Sequence, residues 1–113
     1  MIYKKCKVVI ARSGKEDIAQ KKKYIIQHFK YREYAESYSQ MIKEAARKLE
    51  RLPLGYRHTG FQYRGYDIYM KPVNGHILFF TVNENTAIVT LLRVLQDDMD
   101  WQNIIKQWIQ ENS

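Results

Sequence analysis

The stretch from Tyr66 to Trp101 sets the terms for everything else in the chain. Three apolar runs, Tyr66–Pro72, His76–Val82 and Ala87–Leu95, follow one another with two short interruptions. The first interruption carries Asn74-Gly75, residues that tolerate the positive φ angles of a two-residue hairpin turn. The second, Asn83-Glu84-Asn85, is polar and short enough to reverse a strand again. All three runs are rich in Ile, Val, Phe, Tyr and Thr, which suit a pleated surface. The pattern predicts an antiparallel meander.

Upstream, Lys5 to Ala11 reads as a first strand closed by Ser13-Gly14. Ser13 followed by Glu16 fits a capping box, in which each side chain satisfies a free amide of the helix start. The helix then runs to about Phe29, with Ile18, Ile25, Ile26 and Phe29 along one side. A second helix is marked by Tyr34, Ala35, Tyr38, Met41, Ile42, Ala45, Leu49 and Leu52, recurring at three- and four-residue steps. Pro53 and Gly55 stop it. Two helices joined so closely form an antiparallel hairpin whose apolar stripes need a sheet to cover. The tyrosines on the second helix are read as core, because helical spacing of that kind usually serves packing. After the meander, Asp100 is a fair N-cap for a final helix with Trp101, Ile104, Ile105, Trp108 and Ile109 on one stripe. Most of that stripe should pack on the body, and any part left exposed would offer a docking surface.

Between the second helix and the meander lies a glycine-punctuated basic segment, Leu54 to Gly65, read as a loop. It places Arg57, His58 and Arg64 beside Tyr56, Phe61 and Tyr63. Cations for phosphates and aromatic faces for bases suit RNA or single strands. A surface loop with its aromatics tucked onto the sheet fits equally well.

With 113 residues the chain makes one domain, 1–113, with 45% hydrophobic and 27% charged residues, so globular order is expected. No apolar run reaches the length of a membrane span and the first residues lack a secretory pattern, so a cytoplasmic protein with no membrane partner is expected. The lone Cys6 alternates with Val8 and Ile10 and reads as a buried structural thiol. Three scattered histidines and one cysteine make no metal cluster, and no phosphate-binding or dinucleotide motif is present, so no metal or cofactor is expected. A net charge of +7 favours an acidic partner, either nucleic acid or an acidic protein segment. Lys21-Lys22-Lys23 on a helix face reads as solvated surface.

The order strand, two helices, three-stranded meander, short helix resembles the RelE/ParE toxins of bacterial type II toxin–antitoxin pairs. Glu16-Asp17-Ile18 with Tyr24-Ile25, Leu49 to Gly55, Tyr66 to Val82, and Leu92-Arg93-Val94-Leu95 followed by Met99-Asp100-Trp101 are similar to that family's elements in order and spacing. The resemblance implies an α+β fold in which the helix hairpin covers one side of the sheet and leaves a cationic side free. It also implies a toxin neutralised by a cognate antitoxin, whose flexible segment would fold onto an apolar surface here assigned to Trp101, Ile105 and Trp108.

Activity divides within the family. RelE-like members are ribosome-dependent mRNA endonucleases, and ParE-like members inhibit DNA gyrase. Where many relatives carry an arginine this chain has Ile77, and where many carry a histidine after the last strand it has Gln96. Gln96 hydrogen-bonds but exchanges no proton near pH 7, and Asp97, Asp98 and Asp100 repel phosphates locally. These substitutions favour a ParE-like binding toxin, with Arg57, Arg64, Lys71, His76, Arg93 and Gln96 as candidate target contacts. The alternative is an endoribonuclease using Arg93 with Arg64, Arg57 or His58. Arg93 also has a structural reading, as the ion-pair partner of Asp97 or Asp98. A further alternative is a non-toxic basic module that binds nucleic acid.

Overall fold

The computed structural model describes residues 5–51 and 53–113. Strand β1 (Lys7–Ile10) leads into helix α1 (Arg12–Phe29), and a two-residue connection joins α1 to α2 (Arg32–Arg47). Two short 3-10 turns, Lys48–Glu50 and Pro53–Gly55, follow. Then come β2 (Arg57–Tyr63), β3 (Tyr66–Val73), β4 (His76–Asn83), β5 (Ile88–Gln96) and α3 (Trp101–Asn112). The five strands form one sheet in the order β1-β5-β4-β3-β2. β1 runs parallel to β5, and the other three pairings are antiparallel. This is the α+β architecture expected from the sequence.

The meander has four strands where three were expected. The segment read as a basic loop is mostly β2, an edge strand hydrogen-bonded to β3. Thr59, Phe61 and Tyr63 alternate inward along it, a period-two signal interrupted by cations and Gly60. At Gly60, with φ +88°, the ladder breaks, and Thr59 Oγ1 fills in by donating to Ile68 O at 2.7 Å and accepting from Phe61 N–H at 3.1 Å. Arg64 (φ 52°) and Gly65 (φ 85°) make the turn into β3, while Asn74 (φ 45°) and Gly75 (φ 80°) make the expected turn into β4.

Both faces of the sheet are covered, which is why β4 is buried almost throughout. On one face Leu78, Phe80, Val82, Val89, Leu91 and Val94 meet Ile25 of α1 and Ala35, Tyr38, Ile42 and Ala45 of α2. Cys6 joins this core as expected, and burial pushes its thiol pKa up. Leu52, placed on the α2 stripe by its spacing, lies outside the described residues. On the other face Ile68, Met70, Ile77, Phe79, Leu92 and Leu95 pack against Ile105, with Trp101 and Trp108 beside it. The second side of the sheet is therefore not a free cationic surface, because α3 lies across it.

Three local expectations need correction. The capping box does not form: the α1 N-cap is Ala11, Ser13 Oγ donates to Leu92 O at 2.6 Å, and Glu16 pairs with Arg12 at 3.1 Å. Ile26 and Phe29 do not share Ile25's buried side but stand exposed near the end of α1. Asp100 occupies the α3 N-cap position, but its carboxylate accepts from the Asn103 side chain instead of a backbone amide.

Ser13 reaches β5 because Gly14 lets α1 approach it. A Cβ at Gly14 would sit 3.0 Å from Leu91 O and 3.2 Å from Ile10 Cγ2. Gly14→Ala gains helix propensity worth about 1 kcal/mol, but crowding against a backbone oxygen costs roughly 1–3 kcal/mol. A net loss of about 1 kcal/mol is expected from chemical denaturation. A stabilised variant would mean that α1 and β5 separate easily.

Candidate functional site

β5 is bulged in its middle. Phe79 pairs with Arg93 and Phe80 with Leu91, so Leu92 is an extra residue on the β5 side. β1 ends opposite Leu91, and beyond that point the β5 backbone meets α1 instead of a strand. Asp17, one helical turn after Ser13, accepts Val94 N–H at 2.9 Å. The same carboxylate takes Arg93 in a two-pronged pair, Nε to Oδ2 at 2.7 Å and Nη2 to Oδ1 at 3.0 Å. Both side chains are largely shielded, at 18% and 14% exposure. Arg93 is thus held by Asp17, not by Asp97 or Asp98.

This ion pair forms a ridge between two grooves. One, of about 280 Å³, runs between the helix hairpin and the end of β5 and is lined by Lys21, Tyr24, Tyr38, His76, Gln96 and Met99. The other, of about 770 Å³, lies towards α3 and is lined by Arg12, Glu16, Tyr63, Arg64, Trp108 and Asn112. Asp17 and Arg93 belong to both.

In the smaller groove Tyr38 and His76 face each other, with ring centroids 5.1 Å apart. Burial, reinforced by the Asp17 charge, pushes the Tyr38 phenol up to about 12. His76 is held below the usual imidazole range, chiefly by burial. Its Nδ1 hydrogen-bonds the Asn74 carbonyl at 3.2 Å, and its Nε2 is buried without a partner. Lys21 also disfavours its protonation, while Asp97 and Asp98 oppose these effects. The groove is therefore built from a protonated phenol, a neutral imidazole, an amide and an arginine already neutralised.

The structure brings His76, Arg93 and Gln96 together in the smaller groove, and Arg93 shares the larger one with Arg64 and Trp108. Arg57 and His58 lie on the edge strand β2, where His58 Nε2 is 3.1 Å from Asp67 Oδ2 and its ring abuts Tyr69. Arg64 sits at the β2–β3 turn, over the Tyr63 ring. Lys71 is buried under α2: its ammonium donates to Ala45 O at 3.0 Å, near the negative end of that helix, and covers the Tyr56 ring. On α3, Ile105 is enclosed, whereas Trp101 and Trp108 keep part of their surface. Asp17, Tyr38 and Lys21 were not singled out from the sequence as site residues. Among the described residues no group of three or more His, Cys, Asp or Glu could hold a metal ion, and no helix is long and apolar enough to cross a membrane.

Removing Asp17 strands a shielded guanidinium and a backbone N–H together, so Asp17→Ala should cost about 3 kcal/mol. Arg93→Ala leaves the carboxylate its Val94 amide and should cost less, about 2 kcal/mol. Denaturant titrations giving the reverse order would place the stabilising role on the arginine instead. His76 makes a second prediction. Its folded pKa lies below its unfolded one, so between the two the unfolded chain binds more protons and stability is lost as the pH is lowered. As the pH is lowered through the ordinary imidazole value of about 6.5, the wild type should lose stability relative to His76→Gln. Parallel curves would show that His76 titrates normally.

Residues 8–101 match the family model described as the ParE toxin of type II toxin–antitoxin system, parDE. Among solved structures, a chromosomal ParDE toxin–antitoxin system from P. aeruginosa is similar in fold, with a TM-score of 0.63 at 14% identity. The match covers 80% of this chain and 95% of that one. The comparison with curated proteins returned no match. The family match spans most of the chain, from β1 to the start of α3, and by it the protein belongs to the ParE toxin family of type II toxin–antitoxin systems.

Proposed function

We propose that the protein acts in the cytoplasm as a ParE-like toxin that binds and inhibits a protein target, DNA gyrase, until a cognate antitoxin captures it. The observation that carries binding over RNA cleavage is the Asp17–Arg93 pair. An endoribonuclease must activate a 2′-hydroxyl, stabilise a pentavalent phosphate and protonate a leaving oxygen. Arg93 has two guanidinium nitrogens committed to Asp17, which also places a carboxylate where a phosphate would approach. Tyr38 keeps its proton, His76 is neutral with Nε2 enclosed, and Gln96 exchanges none near pH 7. Arg57, His58 and Arg64 lie along β2 and its turn, and none of them lines the smaller groove. These placements support an inhibitor that works by contact.

Among the candidate target contacts, Arg57 and Arg64 are exposed, and His76 and Gln96 open onto the smaller groove. Lys71 and Arg93 serve by holding α2 and α1 to the sheet. For the antitoxin, Trp101 and Trp108 offer the accessible apolar surface of α3, with Ile105 anchoring the helix beneath them. The net charge of +7 speeds capture by an acidic segment.

Inducing the chain without an antitoxin tests this reading. Growth should stop with gyrase–DNA cleavage complexes accumulating and translated transcripts intact. Cleaved mRNA would instead establish a RelE-like endonuclease centred on Arg57, His58 and Arg64. Harmless expression with strongly salt-dependent nucleic-acid binding would establish a basic binding module.

A further inference from the structure

Among the described residues, five of the seven large hydrophobic side chains that stand exposed lie within one short stretch, Tyr24, Ile26, Phe29, Tyr31 and Tyr34, each between 42% and 61% exposed. They surround the two-residue connection between α1 and α2, where Lys30 takes a left-handed φ of 58°. The exposed rings order one another: Phe29 meets Tyr34 edge-on at 6.0 Å, and Tyr31 meets Tyr34 at 5.6 Å. Tyr24 stacks on His28 at 3.9 Å. The same stretch is strongly basic. Residues 21–36 hold Lys21, Lys22, Lys23, Lys30 and Arg32 against Glu33 and Glu36, a net +3 of the chain's +7.

A surface like this has few suitable occupants. A second copy would set +3 against +3. Single-stranded nucleic acid stacks on open ring faces, but here Tyr24 stacks on His28 and has the Lys21 ammonium over its ring, 4.8 Å from the centroid, and Tyr34 meets two ring neighbours. A bilayer rewards buried apolar area, and only Ile26 and Phe29 of the five are wholly hydrocarbon. Exposed tyrosines, one phenylalanine and a flanking arginine match the composition of protein–protein hot spots, and the lysines around them favour an acidic rim on the partner. The surfaces assigned to the antitoxin lie on α3, across the sheet from this hairpin.

We propose that the tip of the α1–α2 hairpin is the surface that docks on the toxin's protein target, with Phe29, Tyr31 and Tyr34 entering an apolar recess rimmed by carboxylates. This rests on the reading of the protein as a gyrase inhibitor and names the contact for it. Because the tip side chains are exposed, they can be changed without opening the core.

The test uses the purified full chain, purified DNA gyrase and two variants, Phe29→Ser with Tyr31→Ser, and Lys30→Glu with Arg32→Glu. Both variants should keep the wild-type melting curve and lose inhibition of supercoiling by about tenfold or more. Wild-type inhibition by both folded variants would overturn the proposal. So would binding to phosphatidylglycerol vesicles or to oligo-dT that disappears in the variants while gyrase inhibition persists. A wild-type chain that leaves gyrase untouched and cuts translated mRNA would instead sink the underlying reading, a result visible before any variant is compared.

Discussion

Past Leu91, β5 keeps β4 on one side but has no strand on the other, and the cover that α1 gives this bare edge is what the rest of the fold depends on. A strand with unpaired amides and carbonyls is an invitation to wrong partners and a cost if buried dry. The chain answers with side chains spaced one helical turn apart. Ser13 donates to the Leu92 carbonyl and Asp17 accepts the Val94 amide, so two helix residues stand in for a strand that has ended. Gly14, between them, removes the Cβ that would hold the helix away. With α1 fixed in this way, α2 has a defined place on the same face, and Lys71 ties the end of α2 to β3 from below.

The bulge at Leu92 follows from the same requirement. An extra residue lets Leu92 join the core under α3 while Arg93 turns to meet α1. One strand can then serve both layers. A β-bulge commonly re-aims a side chain in this manner, and here the re-aimed group becomes the ridge between the two grooves. The geometry of both grooves therefore depends on an ion pair whose first role is to close a sheet edge.

Much of the fold was legible because the signals were local. The strands from Tyr66 to Gln96 declared themselves through β-branched and aromatic runs and one Asn-Gly turn, and α2 through its periodic apolar stripe. What stayed hidden was set by tertiary contact. β2 was masked because its inward residues, Thr59, Phe61 and Tyr63, are interleaved with cations and a bulge-forming glycine. Ser13 looked like a cap for its own helix, yet its hydroxyl had a stronger claim on a carbonyl 79 residues away. Ile26 and Phe29 fitted a stripe by spacing alone, but α1 extends beyond the sheet contact and leaves them exposed near its end. At the site, Arg93 was identifiable as important, while its partner Asp17 was not, because a carboxylate in the second turn of a helix carries no mark of what it faces.

The choice between catalysis and binding on this scaffold then becomes a competition for one cation. A free arginine on β5 could stabilise a phosphate, but freeing it would leave the Val94 amide and the α1 contact to be satisfied by something else. This chain keeps Asp17, so the arginine serves the fold, while burial raises the neighbouring Tyr38 phenol to about 12 and lowers the His76 imidazole below its usual range. The remaining charge is carried by Arg12 and Arg64 at the larger groove, by the β2 edge and by the hairpin tip. Asp17 and Arg93, which line both grooves, are occupied in holding α1 to the sheet.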